Sequence, residues 1–220
     1  MTKYRLAAMG AAFLMAAFMT TGCKKDSGSS DKESSEKEAA VMDSGDRIAE
    51  AYKDVEDLES GPELSVSRTT APAGGVAEVT ISVDNADEMW NMCGLHIQYP
   101  EELKCQLNGS AEAHMTKYKA GDACDGFLTS SMEWFGEMPE DLAGQGKSMV
   151  FFAAVSSGNP GFSGDIVTFY LDVPEDAEPG TEYPIDFYYY KTDQFTNIDG
   201  NKAMEKYAFT HWKSGSVTVE

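Results

Sequence analysis

The sequence predicts an all-β fold, a nine-stranded β-sandwich of the jelly-roll type. In nine short segments apolar and polar residues alternate with a period of two, which is typical of strands with one buried face. Clusters of Gly, Pro, Asn and Asp separate the segments at short intervals, as in sandwiches and jelly rolls. No long amphipathic helical pattern lies between residues 63 and 220. The predicted strands are 64–69, 76–83, 92–99, 103–107, 127–135, 149–155, 166–173, 183–190 and 207–219.

The clearest pair of strands lies in residues 164–187. Pro174 ends the first strand, because proline has no N–H to donate to a neighbouring strand. An acidic turn centred on Pro179 and Gly180 follows. The second strand then places three apolar side chains on the face that we expect to be buried, namely Ile185, Phe187 and Tyr189.

The N-terminal 22 residues have the features of a secretory signal peptide. Two basic residues precede an apolar run over residues 6–19, which is shorter than the roughly 20 residues of a membrane-spanning helix. Small residues then lead to Cys23, and the segment resembles the signal of bacterial lipoproteins. The resemblance implies that Cys23 is lipidated and becomes the new N-terminus. The alternative is an ordinary signal peptide that leaves Cys23 as a free thiol.

Residues 23–62 are predicted to be an acidic, Ser-rich disordered tether, because they contain too few large apolar residues to offset the entropy lost on ordering. Within the tether, residues 46–58 show helical spacing of apolar residues, with Asp46 as a candidate cap. This short helix is either a frayed spacer or a helix that docks on the following domain. Residues 63–220 are then one domain of ordinary size.

The chain is strongly acidic, with 17 Lys and Arg against 37 Asp and Glu and a formal net charge of −20. Such a surface repels the phosphates of nucleic acids and of anionic membranes. We therefore expect no nucleic-acid partner, attachment to the membrane only through the N-terminal lipid and a preference for basic partners. The lipoprotein resemblance implies a bacterial cell-surface location. We expect a monomer.

Three cysteines remain after Cys23, and they form no CxxC motif that would indicate a zinc or redox site. Cys93 alternates with Leu95 and Ile97, so we expect it to be buried as a small apolar residue. A disulfide between Cys105 and Cys124 remains an open alternative.

The sequence contains no motif that predicts catalysis or a cofactor. The three histidines lack metal-binding spacing, and there is no GxSxG nucleophile motif. Residues 193–201 lack the ligand pattern of a calcium-binding EF-hand loop. We therefore predict a protein that is not an enzyme and that has no cofactor or metal of its own.

Four segments resemble cohesins, the β-sandwich modules that bind dockerins in cellulosomes. The segments are 70–83, 90–103, 149–158 and 164–187, together with a closing strand at 215–219. The second segment, WNMCGLHIQYPEEL, is similar to the third cohesin strand, in which a tyrosine, here Tyr99, precedes a short turn and a leucine, here Leu103. Residues 111–147 are longer and less regular than in the simplest cohesins.

The resemblance implies a binding face and no active site. Cohesins bind the dockerin, a small helical module that carries its own calcium, mainly through the face made by strands 8, 3, 6 and 5. Strand alternation and the family's contact positions place nine residues on this face here: Met92, Gly94, His96, Gln98, Phe152, Val155, Asp186, Tyr188 and Tyr190. Met92 and Gly94 stand where the commonest cohesins have polar residues, which suggests a divergent specificity group like those of ruminal cellulosomes. Replacing both Tyr188 and Phe152 by alanine is expected to weaken binding without unfolding the domain.

The leading hypothesis is a non-catalytic scaffold protein whose single cohesin holds dockerin-bearing enzymes or scaffolds at the cell surface. The alternative is a carbohydrate-binding module with the same architecture, in which Trp90, Trp134 and the tyrosines form a platform for sugars. A third hypothesis is a lipoprotein enzyme.

Overall fold

A computed structural model describes residues 42–87 and 89–220. The predictions for the signal peptide, for Cys23 and for the tether as far as residue 41 lie outside the described residues. Within the described ranges, no helix is both long and apolar enough to cross a membrane.

The described residues form twelve strands and two α-helices. Nine strands have four or more residues, and three have only two or three residues, one of them within the predicted strand 103–107. The elements are α1 (Ser44–Ala51), β1 (Glu63–Val66), β2 (Arg68–Ala71), β3 (Val76–Asp84), β4 (Met92–Pro100), β5 (Lys104–Cys105), β6 (Tyr118–Ala120), β7 (Leu128–Glu133), β8 (Lys147–Val155), β9 (Gly164–Asp172), β10 (Glu182–Tyr188), β11 (Gln194–Thr196), α2 (Lys202–Thr210) and β12 (Gly215–Val219).

The strands form two sheets that enclose one core, which confirms the predicted β-sandwich. The first sheet has the order β1-β3-β9-β5, with β6 also paired to β9. The second has the order β2-β12-β10-β4-β8-β7, with β11 also paired to β4. The core between them contains Val79 and Phe169 from the first sheet and Ile97 and Phe187 from the second. Apart from the parallel pair of β2 and β12, these strands pair antiparallel.

Two predicted strands differ from the structure. Residues 64–69 were predicted to be one strand, but β1 pairs with β3 and β2 pairs with β12, so the segment crosses between the two sheets. The predicted strand 207–219 begins with the last turn of α2. The Asn201 side chain caps this helix by accepting hydrogen bonds from two backbone N–H groups. Met204, Ala208 and Phe209 are buried at helical spacing, and this packing outweighs the strand preference of the aromatic residues.

Helix α1 docks on the sandwich, so the structure decides between the two alternatives for this segment. The cap is Asp43 rather than Asp46: its Oδ1 accepts a 2.9 Å hydrogen bond from the Asp46 N–H. Ile48 and Tyr52 belong to the main core. The backbone N–H of Tyr189 donates to Ser44 Oγ at 2.6 Å. The helix is therefore held by both apolar packing and hydrogen bonds.

All three described cysteines are free, and Cys93 is buried as predicted. Cys105 and Cys124 do not form a disulfide. Burial raises the pKa of the Cys105 thiol to about 12 and that of the Cys124 thiol to about 11. Both groups are therefore protonated at neutral pH and unreactive as nucleophiles.

Candidate functional site

The outer face of the second sheet presents its side chains in rows that run across β7, β8, β4 and β10 or β11. Each row follows from the antiparallel register of these strands. The first row is Leu128, Val155, Met92 and Thr196; the second is Ser130, Ala153, Gly94 and Gln194; the third is Met132, Phe151, His96 and Tyr188; and the fourth includes Met149, Gln98 and Asp186. The first three rows contain no Lys, Arg, Asp or Glu.

The first row forms an exposed apolar strip, defined here as Leu128, Val155 and Met92. Leu128 is 79% exposed and Val155 is 39% exposed, although both stand in regular strands. Met92 is partly exposed beside Val155. Exposed apolar residues that adjoin one another on a flat sheet often mark a site where another protein binds.

The register of β8 corrects the position of one predicted site residue. Phe152 is fully buried, and its ring packs edge-to-face against those of Tyr118 and Phe169 in the core. The prediction that Phe152 lies on the binding face is therefore wrong, and its neighbour Phe151 lies there instead. The sequence contained a signal of this error: Phe152 and Val155 are three residues apart, and a regular strand points such residues to opposite faces.

Gly94 leaves space for the Phe151 ring on the outer face. A Cβ atom at Gly94 would lie 3.4 Å from Cε2 and Cζ of that ring. A larger side chain at this position would therefore displace Phe151 from its place over β4.

His96 points to the predicted face but is nearly covered by aromatic rings. The ring centroids of Phe151, Trp134 and Tyr190 lie 4.7, 5.6 and 5.4 Å from that of its imidazole. Its Nδ1 lies 2.6 Å from Oδ1 of the buried Asp193. Burial raises the pKa of the Asp193 carboxyl, although the hydrogen bond with His96 opposes this effect. His96 is therefore a structural part of the site rather than an exposed contact.

These rings border a surface groove of about 310 Å³, called the aromatic groove here. It is lined by His96, Met132, Glu133, Trp134, Phe135, Phe151, Tyr190 and Thr192. The sequence prediction identified only His96 and Tyr190 of this set. Trp134 was identified only for the alternative sugar platform and Phe135 not at all, because both lie beyond the end of β7, at the end of the predicted strand 127–135, where strand alternation does not reveal a groove.

Tyr188 lies on the outer face but is covered by residues from distant parts of the chain. Its hydroxyl donates to Asp141 Oδ1 at 2.7 Å, and the Arg47 guanidinium carbon lies 4.6 Å from its ring centroid. Arg47 Nη2 also donates to Asp141 Oδ2 at 3.0 Å. The prediction of an accessible Tyr188 is therefore wrong, because α1 and the turn that carries Asp141 close this end of the face.

The two remaining predicted residues, Gln98 and Asp186, lie beside the covered end and are partly exposed. The side chain of Gln98 donates a 3.4 Å hydrogen bond to the Phe187 carbonyl. Asp186 Oδ1 accepts one from Ser214 Oγ at 2.6 Å. The outer face thus has an open apolar part at Leu128, Val155 and Met92 and a closed polar part at the other end.

The contacts of Asp141 with Arg47 and Tyr188 in the closed part predict that Asp141→Asn lowers stability in a pH-dependent way. Burial alone would raise the pKa of Asp141, but hydrogen bonds from Arg47 and Tyr188 outweigh burial and hold this pKa below its usual value. A lowered carboxyl pKa stabilises the fold above the unfolded-state pKa of about 3.9, and this contribution is lost as the pH falls through the folded-state pKa. At pH 7 we expect Asp141→Asn to cost about 1–2 kcal/mol of unfolding free energy.

The measurement is urea denaturation of both proteins at several pH values between 7 and 2.5. The difference between wild type and Asp141→Asn should shrink as the pH falls below 4. A difference that is independent of pH would contradict the charged interaction of Asp141 with Arg47.

Comparison with known proteins agrees with this architecture. No protein-family model matches the chain, and no curated protein matches it significantly. Among solved structures, it is similar to a type III cohesin module from the ScaE cell-surface anchoring scaffoldin of Ruminococcus flavefaciens, with a TM-score of 0.60 and 26% identity over 82% of this chain and 96% of that one.

Two further solved structures share the fold at lower sequence identity. One is a non-cellulosomal cohesin from the archaeon Archaeoglobus fulgidus, with a TM-score of 0.50 and 16% identity over 73% of this chain and 92% of that one. The other is a type I cohesin–dockerin complex from Clostridium thermocellum, with a TM-score of 0.51 and 17% identity over 73% of this chain and 100% of that one.

Fold and outer face together define an all-β jelly-roll sandwich with one sheet open for contact. Within that class, the similar solved structures support a divergent cohesin domain for the described part of the chain.

Proposed function

We propose that this protein is a non-catalytic, scaffoldin-type module that binds the dockerin of a partner protein. The observation that carries the proposal is the exposed apolar strip of Leu128, Val155 and Met92. It lies on β7, β8 and β4, which correspond to strands 5, 6 and 3 of the face that the cohesin resemblance implies. The order of the strands in the sheet therefore supports the proposal, and this support does not depend on which side chains the strands carry.

The chemistry of the open part also favours a protein partner. Protein interfaces combine an apolar centre that lacks charged residues with a polar rim. Here the first two rows, together with Met132 and Phe151 of the third, supply the uncharged centre, and Gln98, Asp186 and Glu133 lie toward the edge. The acidic net charge of −20 favours a partner with basic residues around its contact surface.

A carbohydrate platform is not supported by the positions of the tryptophans. Trp90 is fully buried, and its ring packs against those of Phe127 and Phe195 at centroid distances of 4.7 and 5.2 Å. The indole N–H of Trp134 donates to the Glu137 carbonyl at 3.1 Å. Sugar binding needs an accessible ring together with free hydrogen-bonding groups; Trp90 lacks the accessible ring, and the indole N–H of Trp134 is already engaged.

The first test is binding of the domain, residues 42–220, to a panel of calcium-loaded dockerins and, in parallel, to insoluble cellulose and xylan. We expect saturable binding to at least one dockerin and no retention on either polysaccharide. Binding to a polysaccharide without binding to any dockerin across a broad panel would overturn the proposal.

Chelation of calcium should abolish dockerin binding without changing this protein. The calcium belongs to the loops of the dockerin, whereas no group of three or more His, Cys, Asp and Glu in residues 42–87 and 89–220 is placed to hold a metal ion. EDTA should therefore remove the binding signal, and added calcium should restore it. The melting temperature of the cohesin domain alone should be the same with and without EDTA; a clear drop would contradict the expectation that the domain has no metal of its own.

We further propose that lipidation of Cys23 holds the protein at the bacterial cell surface. The order of basic residues, apolar run and Cys23 supports this proposal. Metabolic labelling with a fatty acid should label the wild type and not Cys23→Ser. An unlabelled wild type would contradict the lipid anchor and would leave the dockerin-binding proposal unaffected.

A further inference from the structure

The aromatic groove lies beside the apolar strip and differs from it in shape. The strip is flat, whereas the groove is concave and is bordered by the rings of Trp134, Phe135 and Tyr190. Phe151 lines the groove and stands in the third row of the face, two rows from Val155. The groove and the strip are therefore parts of one continuous surface.

We propose that this groove receives one large, uncharged apolar side chain from the helical partner that covers the strip. The inference deepens the proposed function and rests on it for the identity of the partner. It assigns to the groove a preference for an apolar side chain, which the strand pattern of the sequence does not reveal.

The charged groups of the groove already have partners within the domain. His96 Nδ1 and Asp193 Oδ1 are 2.6 Å apart, and Asp193 Oδ2 accepts a 3.0 Å hydrogen bond from the Tyr190 N–H. Glu133 Oε1 lies 2.9 Å from His114 Nδ1. A charged or heavily hydroxylated occupant would give up hydrogen bonds to water and find few replacements here, which is unfavourable. An apolar side chain loses no such bonds and gains contact with the aromatic rings.

The spacing of strip and groove fits a helix that lies along β8. Val155 and Phe151 are four residues apart on this strand, which is about 13 Å in a strand that rises about 3.3 Å per residue. A helix rises about 1.5 Å per residue, so residues seven or eight positions apart are about 11–12 Å apart on one face of the helix, and their side chains can reach both features. The partner's contact helix should therefore carry two large apolar residues about two turns apart.

The test uses small probes, so that its outcome does not depend on any dockerin. The probes are N-acetyl-L-leucinamide, N-acetyl-L-lysinamide and cellobiose, each titrated into the isotope-labelled domain and followed by NMR. With the leucine probe we expect saturable shifts, in the millimolar range, of the Trp134 indole N–H and of the Phe151 and Thr192 amides. The lysine probe and cellobiose should bind at least about fivefold more weakly.

Two exposed phenylalanines give a matched pair of variants. Phe135 is 58% exposed and lines the groove, whereas Phe162 is 46% exposed and lies elsewhere on the surface. Phe135→Ala should weaken the leucine probe at least about threefold, and Phe162→Ala should leave its affinity unchanged. Absence of saturable shifts at the groove, equal binding of the lysine probe or cellobiose, or equal effects of the two variants would overturn the inference. If the same wild-type protein still bound a dockerin, the proposed function would stand although the inference about the groove had failed.

Discussion

Phe152→Ala is expected to lower the free energy of unfolding by about 3–5 kcal/mol, the usual range for truncation of a buried phenylalanine. Phe152 is fully buried between the sheets, where its ring packs against those of Tyr118 and Phe169. Truncation would remove these contacts and leave a cavity that the surrounding strands cannot fill without distortion.

The matched control is Phe151→Ala, one residue away on the same strand. Phe151 points outward and is only partly buried, so we expect a loss of stability of about 1–2 kcal/mol, less than that at Phe152. It should instead weaken binding of the partner, because the ring forms part of the face and of the groove. Urea denaturation and calorimetric titration of both variants measure the two effects. Equal or greater destabilisation by Phe151→Ala would show that the register of β8 is incorrect.

Tyr52→Ala is expected to cost about 3–5 kcal/mol of unfolding free energy, because Tyr52 anchors α1 in the core and its truncation leaves a large cavity. Its hydroxyl also donates a 2.8 Å hydrogen bond to Oε1 of Glu205. Burial raises the pKa of the Tyr52 hydroxyl, with smaller contributions from Tyr189 and from the negative charge of Glu205. The hydroxyl is therefore protonated across the ordinary pH range and remains a donor.

Two further variants separate the apolar contact of Tyr52 from its hydrogen bond. Tyr52→Phe keeps the ring and should cost about 1–3 kcal/mol, since Glu205 is buried and loses one of its donors. Glu50→Ala, on the exposed side of α1, should change stability by less than about 0.5 kcal/mol. A loss below 1 kcal/mol for Tyr52→Ala would mean that α1 does not dock in solution.

The docked helix has a consequence for the binding face. Arg47 on α1 contacts Asp141 and covers the Tyr188 ring, so the N-terminal segment fixes the closed end of the face. A domain that begins at residue 63 would lack this cover as well as the core contacts of Tyr52. Binding experiments therefore need a chain that includes α1.

The strand pattern predicted the long strands and their buried faces well. Leu95, Ile97 and Tyr99 in β4 and Ile185 and Phe187 in β10 are buried as the alternation indicated. This success has a simple physical cause, since the period of a strand fixes which side chains share a face.

The pattern could not predict what lies over the outward residues. Asp193 is 97 positions from His96, and Asp141 is 47 positions from Tyr188, yet they cover these side chains in the structure. Such long-range contacts leave no periodic signal in the sequence. For α2, the Asn201 cap was a usable signal, but the aromatic residues that follow also fit a strand.

The central claim, that a dockerin binds the open part of the outer face, is tested most directly by comparing two valine substitutions. Val155 is 39% exposed in the apolar strip, and Val76 is 44% exposed on β3 of the other sheet. Each is replaced by arginine, and the affinity for a dockerin that binds the wild type is measured by calorimetry. Val155→Arg should weaken binding at least about tenfold, because it places a charge in the centre of the contact. Val76→Arg should bind as the wild type does, with both variants folded. Equal affinity of Val155→Arg and wild type, or a greater loss at Val76, would contradict this assignment of the face.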